Sequence, residues 1–223
     1  MIVVIGSPIG RSVDGATAAG GTASRIALAA ARTGRSVQLV GKTGDDAIAD
    51  GVVLDLARGG VGHVALLRDP ARATPLEGSL VTVDETGVLG DDDGQHAPSP
   101  DVTPAEADGP ALESADVDLG LRYLTDFAVV ALAEPASPET VAVVAEAARW
   151  GEAQLVLVLR AGEPVPDGLP PDVIVFEAPD ADPDGAFATL VGIFAAALDS
   201  GTDPGDAFRA SVASDGWTGS EDD

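Results

Sequence analysis

The sequence predicts an α/β domain with a mostly parallel central sheet covered by helices on both faces. Three observations carry this. Short apolar runs bounded by Gly, Pro or charge recur along the chain, at Met1–Ile5, Val37–Val40, Phe127–Leu132, Gln154–Leu159 and Val173–Phe176, the pattern of strands buried on both faces. Segments of helical period lie between them, and alternation of this kind builds a parallel sheet. The chain has 223 residues and 45% hydrophobic content, enough for one sizeable core. A single domain is expected over residues 1–214.

Met1–Ile5 is the first strand; it lacks the basic flank and long apolar region of a signal peptide. Residues 6–18 read as a turn-rich loop holding Arg11 and Asp14. In AGGTASRIALAAARTGRSVQLVGKTGDD (19–46) a Gly20–Gly21 turn opens a helix. Its Ala23, Ile26, Ala27, Ala30 and Ala31 fall at helical spacing, small enough to pack closely on a sheet. Gly34 ends it, Val37–Val40 form a strand, and a Gly-rich turn runs to Asp46. Ile48, Val52, Val53 and Leu56 mark an amphipathic helix closed by Gly59–Gly60. Val61–Leu67 and Ser79–Asp84 are strand candidates and look like a β-meander.

No Lys or Arg occurs between Arg72 and Arg122. Residues 90–118 in that interval are rich in Pro, Gly and Asp and are expected to be a mobile acidic loop. Asp91–Asp93 are adjacent rather than spaced as calcium ligands are, so they read as solvated charge. Ser137–Trp150 then forms a helix, with Ser137 as cap, Pro138 in the first turn, and Val141, Val144, Ala145 and Ala148 inward. A Pro-rich link (163–171) leads to the last strand. The strongest helical period follows, through Phe187, Leu190, Val191, Phe194, Ala195 and Leu198. A shorter helix over Pro204–Ala213 and an acidic, disordered tail (215–223) end the chain.

Composition excludes several functions. With 37 acidic residues against 12 Lys plus Arg, the formal charge is −25; phosphate backbones and anionic membranes would repel such a chain. There is no Cys and only two His, so no thiolate chemistry and no metal site are expected. No run reaches the roughly 20 apolar residues of a membrane span, which makes a cytoplasmic location the expectation. Gly41-Lys42-Thr43 looks like the end of a P-loop, but Ser36 stands at its first Gly and residues 37–40 read as strand. Lys42 stays a candidate anion- or nucleotide-binding residue as an isolated cation near the sheet's carboxyl end.

The Gly20–Gly21 turn, the ALAAARTG helix, the VQLVGKTGDD strand and turn, DLARGGVGHV and Thr74 together resemble the amino-terminal half of the ribokinase or PfkB family of carbohydrate kinases. The likeness covers roughly the first ninety residues well and the remainder in outline. It implies a ribokinase-like three-layer α/β/α sandwich. The β lid should be reduced or missing, since residues 6–18 leave no room for the hairpin that precedes the GG turn in the family; the meander would carry what remains. It also implies transferase activity, the ATP- and Mg²⁺-dependent phosphorylation of a sugar or nucleoside hydroxyl. In the family the GG turn, an asparagine four residues after it and an Asp shortly after the first strand line the substrate site. The corresponding residues here are Gly20, Gly21, Arg25 and Asp14. A guanidinium at Arg25 suits a carboxylate or phosphate, which adds anionic metabolites to the expected ligands. The alternatives are a surface Arg25 paired with a nearby acid and a solvated Asp14.

The family's DTxGAGDxF motif corresponds to Asp180–Phe187, DADPDGAF. Gly185 stands where the catalytic Asp belongs, and its backbone is a candidate for anion binding. Asp184, one position early, is the candidate for a displaced base. Pro183 removes an N–H from the turn, and Asp182 and Asp184 bring negative charge to where a phosphate must sit. The alternative is an acidic turn capping its own helix. A literal GDAF at 205–208 lacks a preceding strand and reads as a plain helix start, and no Asn-x-x-Glu occurs between Leu159 and Val173. Two expectations result. One is a kinase homologue with transfer impaired or lost, using ATP and Mg²⁺ if active. The other is a pseudokinase without cofactor, which binds a small molecule or regulates a protein partner. A homodimer is implied only by the family's habit of pairing through its lid.

Overall fold

In the computed structural model, which describes residues 1–77 and 109–215, the apolar runs become one six-stranded sheet. The elements are β1 (Ile2–Ile5), β2 (Ile9–Val13), β3 (Ala16–Gly20), α1 (Gly21–Arg32), β4 (Val37–Gly44), α2 (Ala47–Arg58), β5 (Val61–Asp69), α3 (Ser114–Tyr123), β6 (Val129–Leu132), α4 (Pro138–Trp150), β7 (Gln154–Arg160), β8 (Ile174–Ala178), α5 (Ala186–Asp199) and α6 (Pro204–Asp215). The sheet order is β5-β4-β1-β6-β7-β8, and its pairings are parallel. All four residues of β1 and of β6 are buried, as their unbroken apolar sequence demands.

Two cores flank the sheet. Ile26 of α1, Val52 and Leu56 of α2, and Phe187 and Phe194 of α5 pack on one face with alternate strand residues such as Val4 and Ala131. Val117 and Leu121 of α3 and Val141 and Val144 of α4 cover the other with Val3, Ile5 and Val130. The small side chains of α1 let α5 approach closely: a Cβ at Gly192 would stand 2.7 Å from the Ala29 Cβ. Ser137 caps α4 through the Thr140 N–H at 3.2 Å, with Pro138 in the first turn.

The structure corrects the sequence reading in three places. Residues 6–18 are not a loop: β2 and β3 form an antiparallel hairpin from Ile9↔Gly20 to Val13↔Ala16. It turns at Asp14–Gly15, both at positive φ (49° and 80°), as a type I′ hairpin turn requires. The segment after β5 joins this lid through Gly10 N–H to the Pro75 carbonyl (2.8 Å) and Glu77 N–H to the Gly10 carbonyl (2.7 Å). Second, β5 belongs to the main parallel sheet beside β4; Ser79–Asp84, the other arm of the expected meander, lie outside the described residues. Third, residues 114–118, assigned to the acidic loop, open α3 because Glu113 and Asp116 form a reciprocal capping box. The rest of that loop before residue 109, with Asp91–Asp93, and residues 216–223 also lie outside the described residues. No described helix is long and apolar enough to cross a membrane.

Candidate functional site

In an open parallel sheet the crevice for a ligand lies beyond the carboxyl ends of the strands, where the order of connection reverses. Here that point falls between β1 and β6. Gly6 and Ser7 follow β1, and Ala133 and Glu134 follow β6. The Ser7 N–H donates to Glu134 Oε1 at 2.7 Å. Gly6 is required here, because its φ is +155° and a Cβ would lie 2.8 Å from the Ala23 Cβ and 3.2 Å from the Glu134 carboxyl carbon. Burial pushes the Glu134 carboxyl up to about 7 from an ordinary 4.5, and the Ser7 N–H only partly opposes it. Near neutrality Glu134 can therefore accept a hydrogen bond as a carboxylate or donate one as an acid.

The second wall is the start of α1. Gly20 caps this helix without a side chain, and the Gly21 N–H donates to Glu77 Oε1 at 2.9 Å. A Cβ on Gly20 would lie 2.7 Å from the same oxygen. Glu77 also accepts from Arg25 Nη2 on both carboxylate oxygens, at 3.1 and 3.2 Å. Arg25 Nη1 donates across the cleft to the Asp182 carbonyl at 2.6 Å. One guanidinium thus ties α1 to the segment after β5 and to the loop before α5.

The third wall is the start of α5. Gly185 sits in the left-handed region at φ 72°, and a Cβ there would meet Arg25 Cδ at 3.1 Å. The Asp182 carboxylate accepts from the Phe187 and Ala188 N–H groups at 3.1 Å each. It satisfies orphan donors and complements the positive end of the helix dipole.

Among the predicted residues, Gly20, Gly21, Arg25 and Gly185 converge on this cleft. Asp184 is exposed on the outside of the turn, and Asp14 is exposed at the hairpin tip, a full five-pair ladder away from Gly20. Lys42 is not an isolated cation: it lies inside β4 and its Nζ donates to Asp116 Oδ2 at 2.9 Å. This hydrogen bond raises its pKa against the opposing effect of burial. Asp46 caps α2 through Ala49 N–H at 2.8 Å and holds Thr74 N–H at 2.7 Å; burial raises its pKa, but these hydrogen bonds win and leave it lowered. Glu77 and Glu134 were not foreseen. Glu134 had a usable signal, as the first acid after a buried strand at the sheet's carboxyl end; Glu77 had none.

The residues present do not fit the phosphates of Mg²⁺-ATP at the start of α5. The donors that would face a phosphoryl group hold the Asp182 carboxylate, whose negative charge opposes a phosphate there.

No family model matches the chain, and no curated protein matches it. Among solved structures the likeness is to sugar kinases, and the architecture is the ribokinase-like α/β/α fold of that class. Arabidopsis thaliana ribokinase complexed with ribose and ATP aligns with a TM-score of 0.63 at 15% identity, over 98% of this chain and 93% of that one. Phosphofructokinase-2 from Escherichia coli in complex with fructose-6-phosphate aligns with a TM-score of 0.61 at 14% identity, over 96% and 92%.

Proposed function

We propose that this protein is a carbohydrate-kinase homologue that binds a hydroxyl-rich small molecule and has lost most or all phosphoryl transfer. One observation carries the proposal: the Asp182 carboxylate occupies the Phe187 and Ala188 N–H groups at the head of α5. A phosphoryl group needs such donors aimed at its developing charge; a fixed carboxylate there repels it instead. Gly185 offers no base, and its conformation and contact with Arg25 leave no strain-free room for one. Asp184, the proposed displaced base, is exposed, where a carboxylate is a weak general base at neutral pH.

The polyol half of the cleft supports retained binding. Glu134 with the Ser7 N–H, Ile9 of the hairpin, Pro75 and Ser137 line a concave site at the switch point, and ribose and fructose-6-phosphate in the neighbours suggest the ligand class. Arg25, proposed to grip an anion, is already held by Glu77 and the Asp182 carbonyl, so its role is to brace the cleft.

Calorimetric titration with sugars and nucleosides, beside a coupled ADP-release assay with ATP and Mg²⁺, tests this. The expected result is heat from at least one polyol with turnover far below the usual range. A kcat near or above about 1 s⁻¹, which is ordinary for an enzyme, would overturn it.

A further inference from the structure

Beyond Glu134 the cleft opens into a cavity of about 450 Å³ on the α1 side of the sheet, walled by Thr22, Ala133, Val158 and Ala178, with Glu134 and Arg160 both facing it. The volume lies within the range that holds small ligands. Glu134 follows β6 and Arg160 ends β7, neighbouring parallel strands that run about 4.8 Å apart. One small molecule can reach both.

Arg160 differs from the other cation of the cleft. Arg25 spends its guanidinium on Glu77 and the Asp182 carbonyl. Arg160 is 75% exposed, and among the described residues its guanidinium is paired only with Glu163, its Nε lying 3.5 Å from Oε2, while that same oxygen accepts from the Arg160 backbone N–H at 3.2 Å. Exposed pairs of this kind are weak, so a ligand anion can replace Glu163 at low cost. In a chain of formal charge −25 an anion gains nothing from the long-range field; it must be held by a local guanidinium, whose planar fork matches carboxylate and phosphate.

We propose that this cavity binds a polyol bearing one acidic group, its hydroxyls bonded to Glu134 and its carboxylate or phosphate to Arg160. This rests on the polyol-binding reading above. The Glu134 carboxyl, raised to about 7, does not confront the bound anion with a full negative charge at neutral pH.

The test is calorimetry of the full chain and of Arg160→Gln with three probes: ribose, ribose 5-phosphate and ribonate. The wild type is expected to bind at least one anionic probe about tenfold or more tighter than ribose, a gap of the size one guanidinium contact supplies. Arg160→Gln should abolish that preference and leave ribose affinity unchanged. Equal affinity of the wild type for all three probes, or a preference that survives Arg160→Gln, overturns the proposal while sparing polyol binding. Binding of none of the three overturns both. The stronger of the two anionic probes identifies the acid as phosphate or carboxylate. A thermal melt of Arg160→Gln, exposed as that residue is, verifies its fold.

Discussion

Glu134 couples folding to pH. Its carboxyl is pushed up to about 7 in the folded chain from 4.5 in a free one, so the folded state holds the proton more tightly. Stability from this group is fully present below pH 4.5 and is lost as pH rises through 7. The difference is on the order of 3 kcal/mol. Glu134→Gln, which keeps the shape and removes the titration, should flatten the pH dependence of the melting temperature between pH 5 and 8 and raise it at pH 8. An unchanged profile would mean that the carboxyl is better solvated than its surroundings imply. At this scale the sequence was legible where the backbone constrains the residue. Gly20, Gly21 and Gly185 stand where a Cβ would meet Glu77, Ile9 or Arg25, and such glycines leave a pattern. Glu77 leaves none, since an acid in a loop does not announce which N–H groups it will meet. Arg25 could be placed on the cleft face of α1, but not paired, because both of its partners lie far away in sequence.

Elements were legible in proportion to their apolar period. The strands β1, β4, β6, β7 and β8 and the helices α1, α2, α4 and α5 follow runs visible in the sequence because burial alone specifies them. The β2–β3 hairpin escaped because its arms, IGRSV and ATAAG, are rich in Gly, Ala and Ser and carry no apolar alternation; only the Asp14–Gly15 turn marks it. The head of α5 shows how one residue can serve an element. Asp182 reaches past Pro183 to take two N–H groups, so Asp182→Ala should cost about 1 kcal/mol of stability, the usual loss for an N-terminal cap. Urea unfolding measures it, and Asp184→Ala, on the exposed side of the same turn, is the control expected to stay within about 0.5 kcal/mol. Equal losses from both would show that the acidic turn acts through its charge alone.

Across the whole molecule, repulsion competes with pairing. The surface ion pairs include Arg68 to Asp50 at 2.8 Å and Arg122 to Asp118 at 2.6 Å, while the Met1 ammonium and Arg35 share the buried Asp199 carboxylate. Surface pairs are each worth about 1 kcal/mol or less, whereas a formal charge of −25 acts everywhere. Raising NaCl from about 20 to 500 mM, which cuts the screening length severalfold, should therefore raise the melting temperature by a few degrees; a fall would mean that the pairs dominate. The sheet order has a different consequence, for synthesis. The earliest strand is the middle one: β1 gains β4 on one side early, but its other side waits for β6, which starts at Val129. Until then a ribosome-bound chain carries a naked, wholly apolar edge, open to mispairing with other nascent chains. Stalling translation shortly before β6 is complete would catch this protein at its most aggregation-prone, with holdase chaperones most in demand.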